Sequence, residues 1–400
     1  MKEIISQDSF ATVLLCAYVM PQEKIENGYK PLSQKEWVNL SVKIVKSNIA
    51  RPANLFKLTL DEICSELRIS FEEASRLIVL LSRAPLMALQ IEKYASMGIS
   101  VLTRADSTYP KRFKKILKGI SPNILYVAGD LEILNSESIG FVGSRKPLEE
   151  SGVFTEEAVK KAVSEGYTII SGGSKGIDSI AHKTATESNG KTIAILSDGL
   201  ISFLKKKENI NNILNKQMLV ISPYHPNARF YAYTALERNK YIYSLSNLVI
   251  VAASDYRKGG TWSGAIENLE NKWVPLYVMQ SDASKGLEEL HKMGVPRISQ
   301  EDLKSINFAT LCTGEESITK EDKKVGIFEL VWPFIDSYIH KPASIIELSK
   351  ELDIEINQLN TWFRKAKELG KIEYINGDKV VSSVFYNKEL DREQQLNFFE

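Results

Sequence analysis

The sequence predicts an extended Rossmann-type α/β fold, a doubly wound sheet with a helical region before it and a winged-helix module after it. Between about residues 110 and 300, short apolar runs alternate with amphipathic helical stretches. Most of the runs are continuously apolar, which is typical of strands in a parallel sheet that helices cover on both faces. Three glycine- and serine-rich turns each follow such a run. Together these features indicate a doubly wound domain.

The first part of the chain predicts helices. Apolar side chains recur at helical intervals from Leu55 to Leu67, and a similar pattern follows. Ser70, with Glu73 three positions later, has the form of a capping box at the start of the next helix. We therefore expect an N-terminal helical domain over residues 1–105.

The sheet domain is expected over residues 106–312. Its six predicted strands are 139–142, 167–170, 192–196, 218–221, 248–251 and 274–279. The helices expected between them include 151–165, 178–188 and 262–272. A loop that contains Pro110 precedes the first of these strands, since proline is a strong marker of loops and turns.

The last part of the chain predicts a small separate module. A charged passage at 313–324 has the composition of a linker. Helices are expected beyond it at about 325–337, 343–352 and 355–369. Two strand-like runs then flank Asn376-Gly377, which is the strongest short hairpin signal. Three helices and a hairpin predict a winged helix over 325–388, and its last helix could enter a DNA groove or contact a protein.

Composition limits the classes of function. The 400 residues carry 51 basic and 50 acidic side chains, a net charge of +1, so nucleic-acid binding would need a local cluster of cations. Cys16, Cys64 and Cys312 are odd in number and far apart, which favours reduced thiols. The apolar run 10–20 is too short to span a bilayer and lacks a basic flank and a cleavage site. We expect a cytoplasmic protein that does not bind membranes.

The three turns are the candidate functional site. Carboxyl ends of parallel strands lie on one edge of a sheet, so the turns should converge there. Glycines let backbone N–H groups face a ligand, and each turn opens a helix whose N-terminus favours an anion. The site suits phosphate, from a nucleotide or from a nucleic-acid backbone. The candidate phosphate-binding residues of the turns are Gly143, Ser144, Arg145, Ser171, Gly172, Gly173, Ser174, Lys175, Gly176, Lys258, Gly260 and Thr261.

Several neighbouring residues have two interpretations. Asp178 and His182 are four apart on a helix and could bind a metal, but without a third ligand we expect a helix cap and a packing residue, and we predict no metal or cofactor. Trp262 could stack on a base or pack at the mouth of the sheet. Tyrosines that alternate with basic residues after position 228 suit single strands, although core packing would explain some of them. These are Tyr231, Tyr233, Tyr241 and Tyr243.

The motifs in this region resemble those of the DprA (Smf) DNA-processing family. The resemblance covers about residues 85–285 in order and spacing. Its motifs are Tyr109-Pro110, Leu125-Tyr126, Gly129-Asp130, Val142 to Arg145, Gly166 to Gly172, Lys175 to Asp178, Ala181-His182, Gly190 to Leu196, Gly199-Leu200, Arg238-Asn239 and Leu245-Ser246. The resemblance implies an extended Rossmann fold that binds single-stranded DNA in a basic pocket, and it also implies dimerisation and delivery of DNA to a RecA-type recombinase.

The resemblance implies roles for particular residues. Arg145 and Lys175 match the family's DNA-contacting cations, and Arg238 matches its downstream arginine, followed here by Asn239 and Lys240. The sequence departs from the family pattern at Ser222–Pro226, at Lys205–Lys207 and in the third turn. These departures indicate a divergent branch, and the family also occurs in phage-defence operons. The role therefore stays open between natural transformation and defence, the latter with an operon-encoded effector.

Two classes of function remain. The leading hypothesis is a non-enzymatic, homodimeric protein that binds single-stranded DNA and presents or protects it for a recombinase or another partner. The alternative is a nucleotide-binding sensor that regulates a toxin or effector, or a nucleotide phosphoribohydrolase of the LOG-like group. In that group a glutamate follows the threonine of the third turn by three positions, whereas here Glu267 follows Thr261 by six. Among the three turns, Asp178 is the one acidic residue, which is little for acid–base catalysis.

Overall fold

The computed structural model describes residues 5–20, 23–313, 327–339, 341–375 and 379–382. The chain divides into two compact units, one within residues 1–318 and the other within 319–400. In the described residues, no single helix is both long and apolar enough to cross a membrane, although the bent pair Phe71–Ser82 and Ala84–Ser96 meets those two criteria together.

The first unit is built on one sheet of nine strands. They are β1 (Ser100–Thr103), β2 (Ile124–Ala128), β3 (Ser138–Val142), β4 (Thr168–Gly172), β5 (Thr192–Ile195), β6 (Met218–Ser222), β7 (Leu248–Val251), β8 (Leu276–Met279) and β9 (Arg297–Ile298). Their order across the sheet is β1-β2-β6-β5-β4-β3-β7-β8-β9. The seven strands from β6 to β9 in this order pair in parallel, while β1 and β2 are antiparallel to their neighbours.

Fourteen α-helices accompany the sheet in the described part of this unit. They are α1 (Gln7–Cys16), α2 (Gln34–Lys46), α3 (Leu60–Leu67), α4 (Phe71–Ser82), α5 (Ala84–Ser96), α6 (Lys111–Ile116), α7 (Glu149–Ser164), α8 (Ile177–Glu187), α9 (Leu200–Leu204), α10 (Lys207–Leu214), α11 (Ala232–Leu245), α12 (Gly259–Asn271), α13 (Lys285–Lys292) and α14 (Phe308–Thr313). The predicted capping box is present at α4, where Ser70 and Glu73 each accept a hydrogen bond from the other's backbone amide.

The expectation of a mixed α/β fold with a large, mostly parallel sheet is confirmed. All six predicted strands are present within one or two residues of their expected bounds. β1, β2 and β9 are not among the predicted strands, and residues 100–103 were expected in the helical region. β1 is a four-residue edge strand, and a run of that length carries too little periodicity to distinguish strand from helix. Its place is decided by pairing with β2 in register, Val101 opposite Tyr126.

Two hydrophobic cores lie on opposite faces of the sheet. Along β5, Ile193 and Ile195 point into one core while Ala194 points into the other, as the period-two geometry of a strand requires. The second core also contains side chains from the N-terminal helices, such as Leu14 and Ile44. Residues 5–105 therefore share a core with the sheet. The expectation that residues 1–105 form a separate helical domain stays a prediction.

The second unit is small and has its own core. Its described elements are α15 (Ile327–Asp336), β10 (Ala343–Ser344), α16 (Ile345–Leu352), α17 (Ile356–Glu368), β11 (Ile372–Ile375) and β12 (Lys379–Ser382). The strands form an antiparallel sheet in the order β10-β12-β11, and Trp332, Leu359 and Phe363 are buried within the unit. All three predicted helices are present, but the name winged helix stays a prediction. Most of the predicted linker and the turn Asn376-Gly377 lie outside the described residues.

Candidate nucleic-acid interface

The first and third turns lie at the point where the sheet changes direction. From β3 the chain continues through β4, β5 and β6 on one side, whereas β7 lies on the other side of β3 and leads to β8 and β9. In doubly wound sheets, the crevice at the carboxyl ends of such a strand pair is the usual place for a ligand. The amide of Ser144, just after β3, donates to the carbonyl of Ala253, just after β7, at 3.1 Å. The first turn is therefore hydrogen-bonded to the segment that leads from β7 to the third turn.

The first and second turns pack against each other through a glycine. The amide of Ile177 donates to the carbonyl of Ser144 at 3.2 Å. Gly176 has φ +79°, and a Cβ at this position would collide with the Ser144 carbonyl oxygen and the Arg145 backbone. A side chain is thus excluded both by conformation and by space. Because this contact fixes the two turns together, Arg145 and Lys175 lie on the same edge of the sheet, and both are exposed.

We call this edge the rim, defined by residues 143–146, 171–178 and 257–261. Its exposed cations include Arg145, Lys175 and Lys258, which the sequence analysis had selected. Lys146 and Arg257 are also exposed there and were missed, although each is the sequence neighbour of a selected cation. The rim therefore has a local excess of positive charge within a chain of nearly balanced charge.

Arg238 lies beneath the rim, and its side chain is almost inaccessible to solvent. Only 5% of its side chain is exposed, and its Nη1 donates to the carbonyl of Ile195 at 2.9 Å. The same nitrogen is 4.0 Å from a carboxylate oxygen of Asp178, which in turn accepts a hydrogen bond from the Ser174 amide at 3.2 Å. Burial lowers the pKa of Arg238, and the charge of Asp178 opposes this shift. In this structure Arg238 supports the second turn from below, and its contact with DNA stays a prediction.

The two residues after Arg238 are also engaged within the protein. Asn239 is buried, and its Nδ2 donates to the carbonyl of Gly260 at 2.7 Å, which ties α11 to the start of α12. The Lys240 ammonium pairs with Glu237 at 3.3 Å and lies 5.2 Å from the centre of the Tyr241 ring. Sequence reasoning placed these residues near the rim but could not show that their polar groups already have partners.

Burial bears on the alternatives for His182 and Trp262, whereas Asp178 lies in the first turn of α8 and is not its N-cap. His182 is buried between the carbonyl of Gly172 and the hydroxyl of Thr192, both at 2.7 Å, and burial lowers its pKa. It is a buried packing residue. In the described part of the chain, no group of three or more potential ligands is placed to hold a metal. Trp262 is 8% exposed and packs edge-on against Tyr256, so it is not available to a base.

An exposed aromatic strip lies beside Arg145. The Arg145 guanidinium is 5.1 Å from the ring centre of Phe230, a residue that the sequence analysis missed. Tyr231 and Tyr233 stack on each other with ring centres 5.5 Å apart and are 51% and 64% exposed. Tyr241 and Tyr243, by contrast, are core residues. We call Phe230, Tyr231 and Tyr233 the aromatic strip. The preceding Arg229 was a visible signal for it, since basic and aromatic residues alternate here.

Fold and site together define a class: a doubly wound α/β protein with a basic, glycine-opened rim at its topological switch point, suited to bind phosphate groups. Comparison with known proteins makes this more specific. Residues 100–307 match the family described as DNA recombination-mediator protein A, so the chain belongs to this family, as the motif resemblance predicted.

Curated relatives agree with this assignment. The chain is 30% identical over 171 residues to DNA processing protein DprA of Streptococcus pneumoniae, which is 42% of this chain and 58% of that protein. It is 28% identical over 189 residues to Protein Smf of Synechocystis, which is 46% of this chain and 47% of that protein. The chain thus spans about half the length of the curated relatives it matches.

A solved structure shares the fold. The X-ray structure of DNA processing protein A from Streptococcus pneumoniae aligns with a TM-score of 0.51 at 22% sequence identity. The alignment covers 69% of this chain and 99% of that chain. At this level of identity the likeness concerns the fold alone.

Proposed function

We propose that this protein binds single-stranded DNA along the rim and presents it to a partner protein. The observation that carries the proposal is the contact of Arg145 with Phe230, because it joins the basic rim to the aromatic strip. A single strand offers a line of phosphates and a line of unpaired bases, and the two surfaces match these two features.

The phosphates are held by positive charge at the rim. Arg145 and Lys175 supply exposed cations, while the Ser144 and Ser174 amides already donate hydrogen bonds within the protein. The start of α8 adds the partial positive charge of a helix N-terminus. These interactions carry no sequence information, so we expect binding that depends weakly on sequence and strongly on salt.

The bases stack on the aromatic strip. Tyr231 and Tyr233 expose their rings, and stacking of a base on such a ring is sequence-tolerant. In duplex DNA the base faces are covered by their neighbours, so the strip favours single strands. The membership in a recombination-mediator family supports delivery of the strand to a recombinase, and we include homodimer formation in the proposal.

A non-catalytic role is favoured by the state of the acidic residues. Asp178, the one acid in the three turns, is engaged by Arg238 and by the Ser174 amide. Glu267 lies in the interior of α12, where burial raises its pKa, and the charge of Lys240 opposes the shift. Neither carboxylate is free at the rim to act as the acid or base of a nucleotide hydrolase.

Fluorescence anisotropy tests the proposal. The full chain is titrated into a labelled single-stranded oligonucleotide, into the matching duplex and into a labelled mononucleotide, at several salt concentrations. We expect tightest binding to the single strand and a linear fall of log K with log salt concentration. Equal affinity for strand and duplex, or release of free base from a nucleoside monophosphate, would overturn it.

A further inference from the structure

A second feature of the same sheet edge is a cavity of about 1100 Å³. It lies where β6 ends, at residues 223–229, and its other walls come from the end of α1 and the start of β2. This volume is slightly above the range of about 300–1000 Å³ that is usual for small-molecule sites in proteins. The cavity is separate from the phosphate-binding turns, because none of their residues lines it.

The cavity walls are aromatic and nearly uncharged. Tyr18, Tyr126 and Tyr224 are among the lining residues. Two of the lining residues carry a full charge, Arg229 and Glu237. These two charges are opposite in sign. The cavity therefore lacks the excess of cations that a phosphate group needs, and it suits a planar, uncharged ring that can stack on tyrosine.

The histidine in the wall is neutral. Its Nδ1 accepts a hydrogen bond from the Asn227 amide at 3.1 Å, which leaves the proton on Nε2, 2.9 Å from the Tyr94 hydroxyl. Burial lowers the pKa of His225, while a hydrogen bond to the carbonyl of Val19 opposes the shift. Its ring thus adds a further flat, uncharged surface at neutral pH.

One lining residue of the cavity has a buried polar atom without a partner. Asn123 is 9% exposed, and its Nδ2 is 3.9 Å from the Cys16 sulfur. Its Oδ1 has no hydrogen-bond partner among the residues that the structure describes. A buried carbonyl oxygen without a donor is costly, so a ligand that brings an N–H group into this cavity gains from it once the Asn123 amide turns toward the ligand. Every nucleobase carries such a donor on the edge that pairs with another base.

The cavity is continuous with the proposed DNA surface. Tyr231 and Tyr233 of the aromatic strip belong to its lining, and the neighbouring Phe230 is in contact with Arg145. A nucleotide whose phosphate is held at Arg145 lies beside the mouth of the cavity. We propose that this cavity is a nucleobase-binding site, in which tyrosine rings stack on the base and Asn123 accepts a hydrogen bond from it.

The base can come from two sources. One is an unstacked base of the strand on the rim, and this case rests on the proposed function. The other is a free nucleoside. Two probes separate them: an oligonucleotide compared with its abasic counterpart, which keeps the phosphates, and free deoxyadenosine measured by calorimetry.

The main variant is Asn123→Leu, which keeps the branched shape of the side chain and removes the acceptor. Its matched control is Asn135→Leu, the same change at an exposed residue that precedes β3 at the opposite edge of the sheet. Because Asn123 is buried, Tyr18→Ala serves as a second variant, at a ring that is already 38% exposed. Circular dichroism establishes that each variant is folded.

For a base from the strand, wild-type protein binds the intact oligonucleotide at least about fivefold more tightly than the abasic one, as stacking of one base implies. Both cavity variants reduce this preference, whereas Asn135→Leu keeps it and Arg145→Ala weakens both oligonucleotides alike. For a free nucleoside, deoxyadenosine binds wild-type protein and not the folded cavity variants.

Two results would overturn the inference. One is a preference for intact DNA that survives in both folded cavity variants together with no binding of deoxyadenosine. The other is that wild-type protein binds the intact oligonucleotide no more tightly than the abasic one and does not bind deoxyadenosine. Failure of the proposed function looks different, since then no oligonucleotide binds while the deoxyadenosine measurement still tests the cavity.

Discussion

The Arg238 guanidinium lies 4.0 Å from the Asp178 carboxylate, and the side chains are only 5% and 8% exposed. This buried pair connects α11 to the second turn, because Asp178 also accepts a hydrogen bond from the Ser174 amide. Gly172 leaves the space for it, since a Cβ there would overlap the guanidinium. The turn that carries Lys175 is thus supported by a charge pair below the surface.

Loss of one member of this pair should destabilise the protein strongly. Arg238→Met leaves a buried carboxylate without its cation, and we expect the free energy of unfolding to fall by about 3–5 kcal/mol. The double variant Arg238→Met with Asp178→Asn removes that charge and should recover part of the loss. Urea unfolding measures both. If the free energy of unfolding of Arg238→Met lies within about 1 kcal/mol of the wild-type value, the pair is not structurally important.

The exposed cations should act on DNA and not on stability. Arg145→Ala and Lys175→Ala are each expected to weaken single-strand binding by about five- to tenfold, since each removes a phosphate contact, and to reduce the salt slope by about 0.7. Lys160→Ala is the matched control, because Lys160 is exposed near the end of α7, away from the rim. Unchanged titrations for both rim variants would refute the site.

Substitution in the aromatic strip should lower DNA affinity without changing its dependence on salt concentration. Tyr233→Ala removes a stacking surface, so we expect an affinity loss of about 1–3 kcal/mol with the salt slope unchanged. Phe71→Ala is a suitable control, since this ring is 68% exposed on α4. Anisotropy titrations at several salt concentrations give both quantities. A reduced slope with Tyr233→Ala would mean that the ring acts through the phosphates instead.

Gly176 should be more sensitive to substitution than a glycine with similar φ elsewhere. Gly176→Ala adds backbone strain of about 1–3 kcal/mol and also drives a methyl group into the Ser144–Arg145 backbone. Gly166 has φ +87° but no atom within 4 Å of the added Cβ, so Gly166→Ala has the strain alone. We expect only Gly176→Ala to weaken DNA binding. Equal effects of the two variants on stability and on binding would contradict the packing argument.

Stability should fall in mild acid. His182 and His225 have pKa values lowered by burial, so the unfolded chain binds more protons than the folded one as pH drops below the unfolded value of about 6.5. Each histidine then costs up to about 1.4 kcal/mol per pH unit within this window. Urea unfolding at several pH values, with His182→Gln for comparison, measures the change. An identical pH dependence in His182→Gln would exclude this histidine as a cause.

Much of the fold was accessible from the sequence. The strands from β3 to β8 are apolar runs bounded by glycines and polar residues, and that pattern is local. The approach of Arg145 to Lys175 also follows from sequence, because parallel strands bring their carboxyl ends to one edge. The rim was predictable for this reason, as far as the position of its backbone is concerned.

What the sequence could not decide are the contacts between residues far apart in the chain. Whether Arg238 faces bound DNA or Asp178 depends on the packing of α11 and α12. The same packing decides whether Trp262 can stack on a base or is buried. The Asn123 cavity needs segments separated by more than 100 residues to meet. Periodicity and turn chemistry report only on neighbours along the chain, so local pattern determined the sheet and its rim. Long-range packing alone decided which side chains on that rim remain free to bind.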